Sequence, residues 1–278
     1  MNVFNQQPEF ISLDPRSKRP KGLGYAVNPD FMLARHTALI PPDLIKGKRV
    51  LDLGSCLAAT GAWCLSSGAS FYMGVEIDEE FFINSTNCLK KYYPPESWSI
   101  QKSSIEDFLS RNKEKYDVLI ASGVMYGSEN PTDLLKSFSK CADFLIIESV
   151  QMPTIFNSQI LSLETLNALN KDPRIAEFLD SESYISVGQR GMVTSGEKSV
   201  LFSGFNPNMG AVKFILTQLG FSFSEKPNLD LRKALPEQYS PIKRFALHFR
   251  KDANSRERGF GLKNALQDAE NNIITLKW

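Results

Sequence analysis

Cysteine and histidine are both scarce in this 278-residue chain: Cys56, Cys64, Cys88 and Cys141 stand singly, and His36 and His248 are the two histidines. There is no C-x-x-C pair and no histidine pair at helical spacing, so no metal site and no disulfide framework is expected. An excess of one charge is lacking too, since 32 Lys and Arg face 31 Asp and Glu for a formal net charge of +1. Such a balance gives no global field to gather DNA or an anionic membrane, and any nucleic-acid contact must be local. Apolar runs fall far short of the roughly 18 residues that a membrane span takes. The stretch Met1 to Phe10 is polar and holds Pro8, so a reducing, cytoplasmic setting with no membrane partner is expected. What is present is globular in proportion: 42% hydrophobic, 23% charged and 11% aromatic residues. That composition supports a packed core in one enlarged domain or two.

Between Lys46 and Val150 short β-rich runs alternate with amphipathic stretches, the signature of an α/β, doubly wound parallel sheet. Strands are predicted over Arg49 to Leu53, Phe71 to Ile77, Trp98 to Gln101, Tyr116 to Ala121 and Asp143 to Glu148. The intervening helices start at Ala58, after Asp78, after Ser104 and at Asn130-Pro131-Thr132-Asp133. Asp78, Ser104 and Asn130 are residue types that cap a helix N-terminus, and Gly68 is a C-terminal stop. From Ser149 to Phe205 the alternation lapses into polar and glycine clusters at Asn170 to Pro173, Val187 to Gly191 and Thr194 to Gly196, and reads as an insertion. Asn206-Pro207-Asn208 opens a helix ended by Gly220, Phe221 to Ser224 is a strand, and Arg244 to Arg250 a last strand after a long loop. Residues 1–45 read as an N-terminal lid or helical segment with a basic loop, Arg16 to Lys21, and a helix over Asp30 to Ile40. The core domain spans 46–250 with 149–205 as an acceptor-site cap, and 251–278 form a tail.

The glycine turn after the first strand lies at the carboxyl edge of the sheet, where doubly wound folds bind ligands. Gly74-Val75-Glu76-Ile77-Asp78 places a carboxylate at the end of the second strand, where it can accept both hydroxyl protons of a ribose. An adenosine-like ligand is implied. With Gly47 to Gly54, Gly74 to Asp78, Ser103 to Asp107, Tyr116 to Tyr126, Gln218 to Phe221 and Arg244 to Phe249 in order, the chain resembles the class I S-adenosylmethionine-dependent methyltransferases. The resemblance implies a mostly parallel seven-stranded sheet with an N-terminal lid and an insertion after strand 5, S-adenosylmethionine as cofactor, and methyl transfer. It places Asp52, Gly54, Ser55 and Cys56 around the methionine moiety, Glu76 and Ile77 at the ribose, Ser104 and Ile105 at the adenine, and Ala121, Ser122 and Gly123 on the open side. Cys56 and Ala58 stand where the family has glycines, so a left-handed backbone at either position carries a penalty.

Methyl transfer needs positioning first, and a base only if the nucleophile carries a proton at attack. Tyr126, Glu129 and Glu148 near the strand ends, and His36 on the helix before the sheet, are the candidates, with Glu148, Tyr126 and His36 carried as catalytic. Each has a structural reading beside it: Glu148 as a solvated strand end, Tyr126 as a pocket wall, His36 as a packed histidine. The acceptor is expected to be a small molecule. The alternatives are a tRNA wobble uridine, for which Ser122-Gly123-Val124 and the basic loop speak, and a silent cofactor-binding scaffold, suggested by Cys56, Ala58 and Gly127.

Overall fold

A computed structural model describes residues 2–14, 27–125, 128, 130–150, 186–195, 198–236 and 244–252. In chain order the elements are α1 (Val3–Gln6), α2 (Glu9–Ser12), α3 (Pro29–Leu39), α4 (Pro42–Ile45), β1 (Arg49–Leu53), α5 (Ala59–Ser66), β2 (Phe71–Glu76) and α6 (Glu79–Tyr92). They continue with β3 (Trp98–Lys102), α7 (Ile105–Arg111), β4 (Tyr116–Ser122), α8 (Pro131–Cys141), β5 (Ala142–Val150), β6 (Ser186–Ser195), β7 (Lys198–Pro207), α9 (Met209–Gln218), β8 (Phe221–Ser224), α10 (Lys226–Ala234) and β9 (Arg244–Lys251). Seven strands form one sheet in the order β3-β2-β1-β4-β5-β9-β8. The first five are parallel, and β9 runs antiparallel to both β5 and β8. The order reverses between β1 and β4, so the carboxyl ends of those two strands border a crevice.

The helices begin where the capping residues foretell. Asp78 accepts from the Phe81 amide at 3.0 Å, Ser104 from Asp107 at 3.0 Å, Asn130 from Asp133 at 3.1 Å and Asn208 from Ala211 at 2.7 Å. Each bond satisfies an amide that the helix itself cannot pair. The sheet is covered on both faces. Val50, Tyr72, Ile120, Ile146 and Ala246 face one buried cluster, shared with Phe4, Phe10, Leu39 and Trp63. Leu51, Leu53, Val75, Leu119, Leu145, Ile147 and Leu247 face the other, shared with Phe108, Leu135, Phe138 and Leu216. Strand residues of opposite parity therefore both lie in core, which is why these strands read as continuous apolar runs.

Two expectations need correction. The stretches 186–195 and 198–207 are not irregular: β6 and β7 pair as a separate antiparallel two-stranded sheet, and the register sets Gly188 opposite Phe205 and Gly191 opposite Phe202. Glycines broke the period-2 pattern by which a strand is recognised. The loop before β9 contains α10, concealed by Pro227 in its first turn, where proline is tolerated. The start of the chain, within the segment read as helical, folds as α1 and α2, whose Phe4 and Phe10 are almost fully buried. The basic loop Arg16 to Lys21, the Asn170 to Pro173 cluster, Tyr126, Gly127, Glu129 and most of the 251–278 tail lie outside the described residues. No helix among the described residues is long and apolar enough to cross a membrane.

Candidate cofactor site

A cavity of about 440 Å³ opens at the carboxyl end of β1 and β4, within the size range of small-ligand sites. Its floor is the turn from β1 into α5. Gly54, Cys56 and Ala58 all take left-handed conformations, with φ of +72°, +47° and +56°. The expected penalty at Cys56 and Ala58 is thus real, yet the loop keeps the alternate left-handed backbone of a three-glycine turn. A side chain there costs about 1–2 kcal/mol at each such position. The fold holds the loop by backbone bonds: the Gly54 and Ser55 amides donate to the Val75 carbonyl at 2.9 and 3.0 Å, and Ala58 donates to Ser55 at 2.8 Å. At Gly54 a Cβ would lie 2.5 Å from Cγ1 of Val124, so the turn also has no space for one.

Three acidic groups border this floor. Glu76, 5% exposed at the end of β2, accepts from the Cys56 amide at 2.7 Å and the Asp78 amide at 2.8 Å. Burial pushes its carboxyl above the ordinary glutamate range, and those amides work against the push. Asp52 is buried and accepts from the Tyr72 hydroxyl at 2.7 Å. Burial raises it to about 7, opposed by the Tyr72 bond and the Arg35 charge. Asp14, from the N-terminal segment, also lines the cavity and is buried. The hydroxyl of Ser55 is buried with no hydrogen-bond partner among the described residues. A buried orphan hydroxyl on a cavity wall calls for a polar ligand atom.

Phe10 from α2, Val27 just ahead of α3, and Phe31, Met32 and Arg35 from α3 form the roof. The wall opposite Glu76 is an ionic cluster built from three segments. Glu148 on β5, wholly buried, receives the guanidinium of Arg35, the hydroxyl of Ser122 and, at 2.8 Å, the Arg244 guanidinium. Arg35 also donates to Ser122. Arg35 and Arg244 both reach the cavity.

Asp52, Gly54, Ser55, Cys56, Glu76, Ile77, Ile105, Ser122 and Gly123 all border the cavity. Ser104 caps α7 and Ala121 is buried within β4, and neither is among the lining residues. His36 requires correction as a catalytic candidate. It is fully buried, its Nδ1–H donates to the Met32 carbonyl at 2.7 Å, and its ring packs between Phe4 and Trp63. Burial, with the charge of Arg35, pushes it down to about 3, so it is a neutral packing residue. Glu148 is not a free base either, because its oxygens are committed to two guanidinia and a hydroxyl. It holds both arginines at the cavity wall. Arg35 and Arg244 were missed by reading the sequence; Arg35 adjoins the conspicuous His36, and one residue along a helix points about 100° away.

No protein-family model matches the chain. It is 30% identical over 124 residues to a tRNA U34 carboxymethyltransferase of Hahella chejuensis, a match over 43% of this chain and 37% of that protein. The matches span less than half the length of such curated relatives. Among solved structures, a Listeria monocytogenes protein classed with S-adenosylmethionine-dependent methyltransferases superposes with a TM-score of 0.52 at 13% identity, covering 79% of this chain and 99% of that one. The N-terminal domain of EvdMO1, solved in the presence of S-adenosylhomocysteine and D-fucose, superposes with a TM-score of 0.52 at 13% identity, covering 91% of this chain and 98% of that one. With its sheet order, single antiparallel strand β9 and crevice beside β1, the chain has the fold of the class I, S-adenosylmethionine-dependent methyltransferases.

Proposed function

We propose that the chain is an S-adenosylmethionine-dependent methyltransferase acting on a small-molecule acceptor. The observation that carries this reading is Glu76, held at the end of β2 with its carboxylate against the Cys56 and Asp78 amides, at the place where a ribose diol would be gripped. The cavity fits the group: it has a left-handed turn for close approach, an unpartnered Ser55 hydroxyl, and acidic side chains beside the space that a cationic cofactor would fill. When bound, the cofactor supplies an electrophilic methyl group. The chain's own part is to orient and to exclude water: Glu76 and Ile77 for the nucleoside, Asp52, Ser55 and Cys56 for the amino-acid end, Ser122 and Gly123 on the acceptor side. The roof of α2 and α3 favours a compact acceptor.

Calorimetric titration with S-adenosylmethionine and S-adenosylhomocysteine tests this. Glu76→Ala should weaken binding about tenfold, the worth of a lost charge-assisted hydrogen bond. Absence of binding by the intact protein overturns the reading.

A second reading is favoured by Arg35 and Arg244. The curated relatives are named carboxymethyltransferases of tRNA U34, and a carboxymethyl group carries a carboxylate that a methyl group lacks. The guanidinia of Arg35 and Arg244, gathered on Glu148, both border the cavity and are donors of the kind that recognise a carboxylate. Mass analysis of a labelled acceptor separates the two groups, and salt-sensitive tRNA binding separates the acceptors.

A further inference from the structure

One face of the sheet turns from apolar to polar at its carboxyl edge. Ile120 on β4, Ile146 on β5 and Ala246 on β9 all join the buried cluster on that face. Ser122, Glu148 and Arg244 each stand two residues from one of them, and so on the same face, because side chains alternate along a strand. The register brings the three together, with Ser122 opposite Glu148, Glu148 opposite Ala246 and Arg244 opposite Val150. Arg35 meets them from α3. It reaches Glu148 and Ser122 through Nη2, while Arg244 reaches the other Glu148 oxygen through Nη1 at 2.8 Å. Both arginines also border the cavity, so each links the buried carboxylate to the ligand space.

We propose, resting on the methyl-donor reading above, that Arg35 and Arg244 recognise a carboxylate of the acceptor, and that the acceptor is an apolar or aromatic carboxylic acid. A guanidinium offers its N–H groups as a planar fork that matches a carboxylate, and one already held by a buried glutamate loses little freedom when it binds another. Position assigns that anion to the acceptor. The features that suit the donor, Glu76 and the left-handed turn with the Ser55 hydroxyl, belong to β2 and to the end of β1. Glu148 lies on β5, two strands away in the order β1-β4-β5, which is about 10 Å at the usual strand spacing. Between them β4 ends at Ser122, followed by Gly123, the side given to the acceptor. Asp52 and Glu76, on β1 and β2, disfavour an anion at the donor end, and Asp14 borders the cavity from the N-terminal segment. Phe10, Val27, Phe31 and Met32 in the roof give the rest of the acid an apolar surface.

The experiment is calorimetric titration of the full chain, saturated with S-adenosylhomocysteine, with hexanoate, phenylacetate and cinnamate, each beside its primary amide. At least one acid should bind about tenfold tighter than its amide, the worth of a charge-assisted hydrogen bond. Arg244→Gln should bring that preference below about twofold, with the affinities for the amide and for S-adenosylhomocysteine within about twofold of the parent's. A role confined to holding the wall together would move acid and amide alike, so the ratio isolates recognition. Arg244→Lys, which keeps a cation beside Glu148 but not the fork, should cut the preference about threefold, and it serves if the glutamine variant does not fold. Acid and amide bound alike, or no acid bound, overturns the proposal and leaves the donor site standing. An S-carboxymethyl analogue of S-adenosylmethionine that binds about tenfold tighter than the methyl compound, or loss of S-adenosylhomocysteine binding in Arg244→Gln, assigns the arginines to the donor and overturns it too. Failure of the parent to bind S-adenosylhomocysteine overturns both readings.

Discussion

One wall of the cavity comes from a single continuous stretch, Arg49 to Asp78, whereas the opposite wall gathers Arg35 from α3, Ser122 from β4, Glu148 from β5 and Arg244 from β9. The continuous wall is held by backbone bonds between neighbouring strands and contains acidic groups with neutral partners. The composite wall is held by opposite charges, and each member depends on the others for its position. The first kind of wall tolerates a changed side chain, as the left-handed Cys56 and Ala58 demonstrate. The second kind transmits any loss to every segment that it joins.

The largest expected effect breaks the composite wall. Glu148→Ala leaves two guanidinia, 14% and 19% exposed at their side chains, without their shared carboxylate. Removing one partner from a buried ionic cluster costs about 3–5 kcal/mol, read as a lowered midpoint in urea unfolding. A loss under about 1 kcal/mol would mean that the cluster is solvated and the contrast between the walls is false.

Next comes the pH dependence of stability, which concerns the continuous wall and the packing behind it. His36 sits at about 3 when folded against an ordinary 6.5, so the unfolded chain binds more protons between those values and His36 makes stability rise with pH there. Asp52 sits at about 7 against 3.8, so its contribution is present at low pH and is lost as pH rises towards 7. The two slopes oppose each other from about 4 to 6.5. Asp52→Asn should unmask the histidine, giving a stability that climbs with pH by up to about 1.4 kcal/mol per unit relative to the parent. Urea unfolding at pH 4.5, 5.5 and 6.5 reads this, and parallel curves for parent and variant would refute it.

The smallest effect sharpens the contrast. Cys56→Gly should stabilise the chain by less than about 1 kcal/mol, because relief of the left-handed backbone is partly offset by the greater freedom of glycine in the unfolded state. Thermal unfolding checks the sign, and a destabilised variant would show that the thiol's packing outweighs the strain.

The same division explains what could be read from the residues. Strand β1, the turn, Glu76 and the caps at Asp78, Ser104, Asn130 and Asn208 are local features with local causes, and they stand where the pattern puts them. Arg244 meets Glu148 only because β9 runs antiparallel to β5 in a register that sets Ala246 opposite Glu148 and Arg244 opposite Val150. No local pattern encodes that register. His36 and Arg35 could not be told apart in role because α3 is covered on more than one side, by Phe4 and Trp63 at one and the cavity at another. The pairing of β6 with β7 and α10 were obscured by glycine and proline at positions where tertiary structure accepts them.

Trp63 lies 6.4 Å from the stacked ring of Phe4 and gives its indole N–H to the Ile40 carbonyl at 2.8 Å. One face of that fluorophore is therefore shielded by α1, part of the same N-terminal segment that supplies the cavity's roof. Any displacement of the segment would bring water to that indole and move its emission to longer wavelength, so Trp63, one of three tryptophans in the chain, would report optically on the cavity's roof.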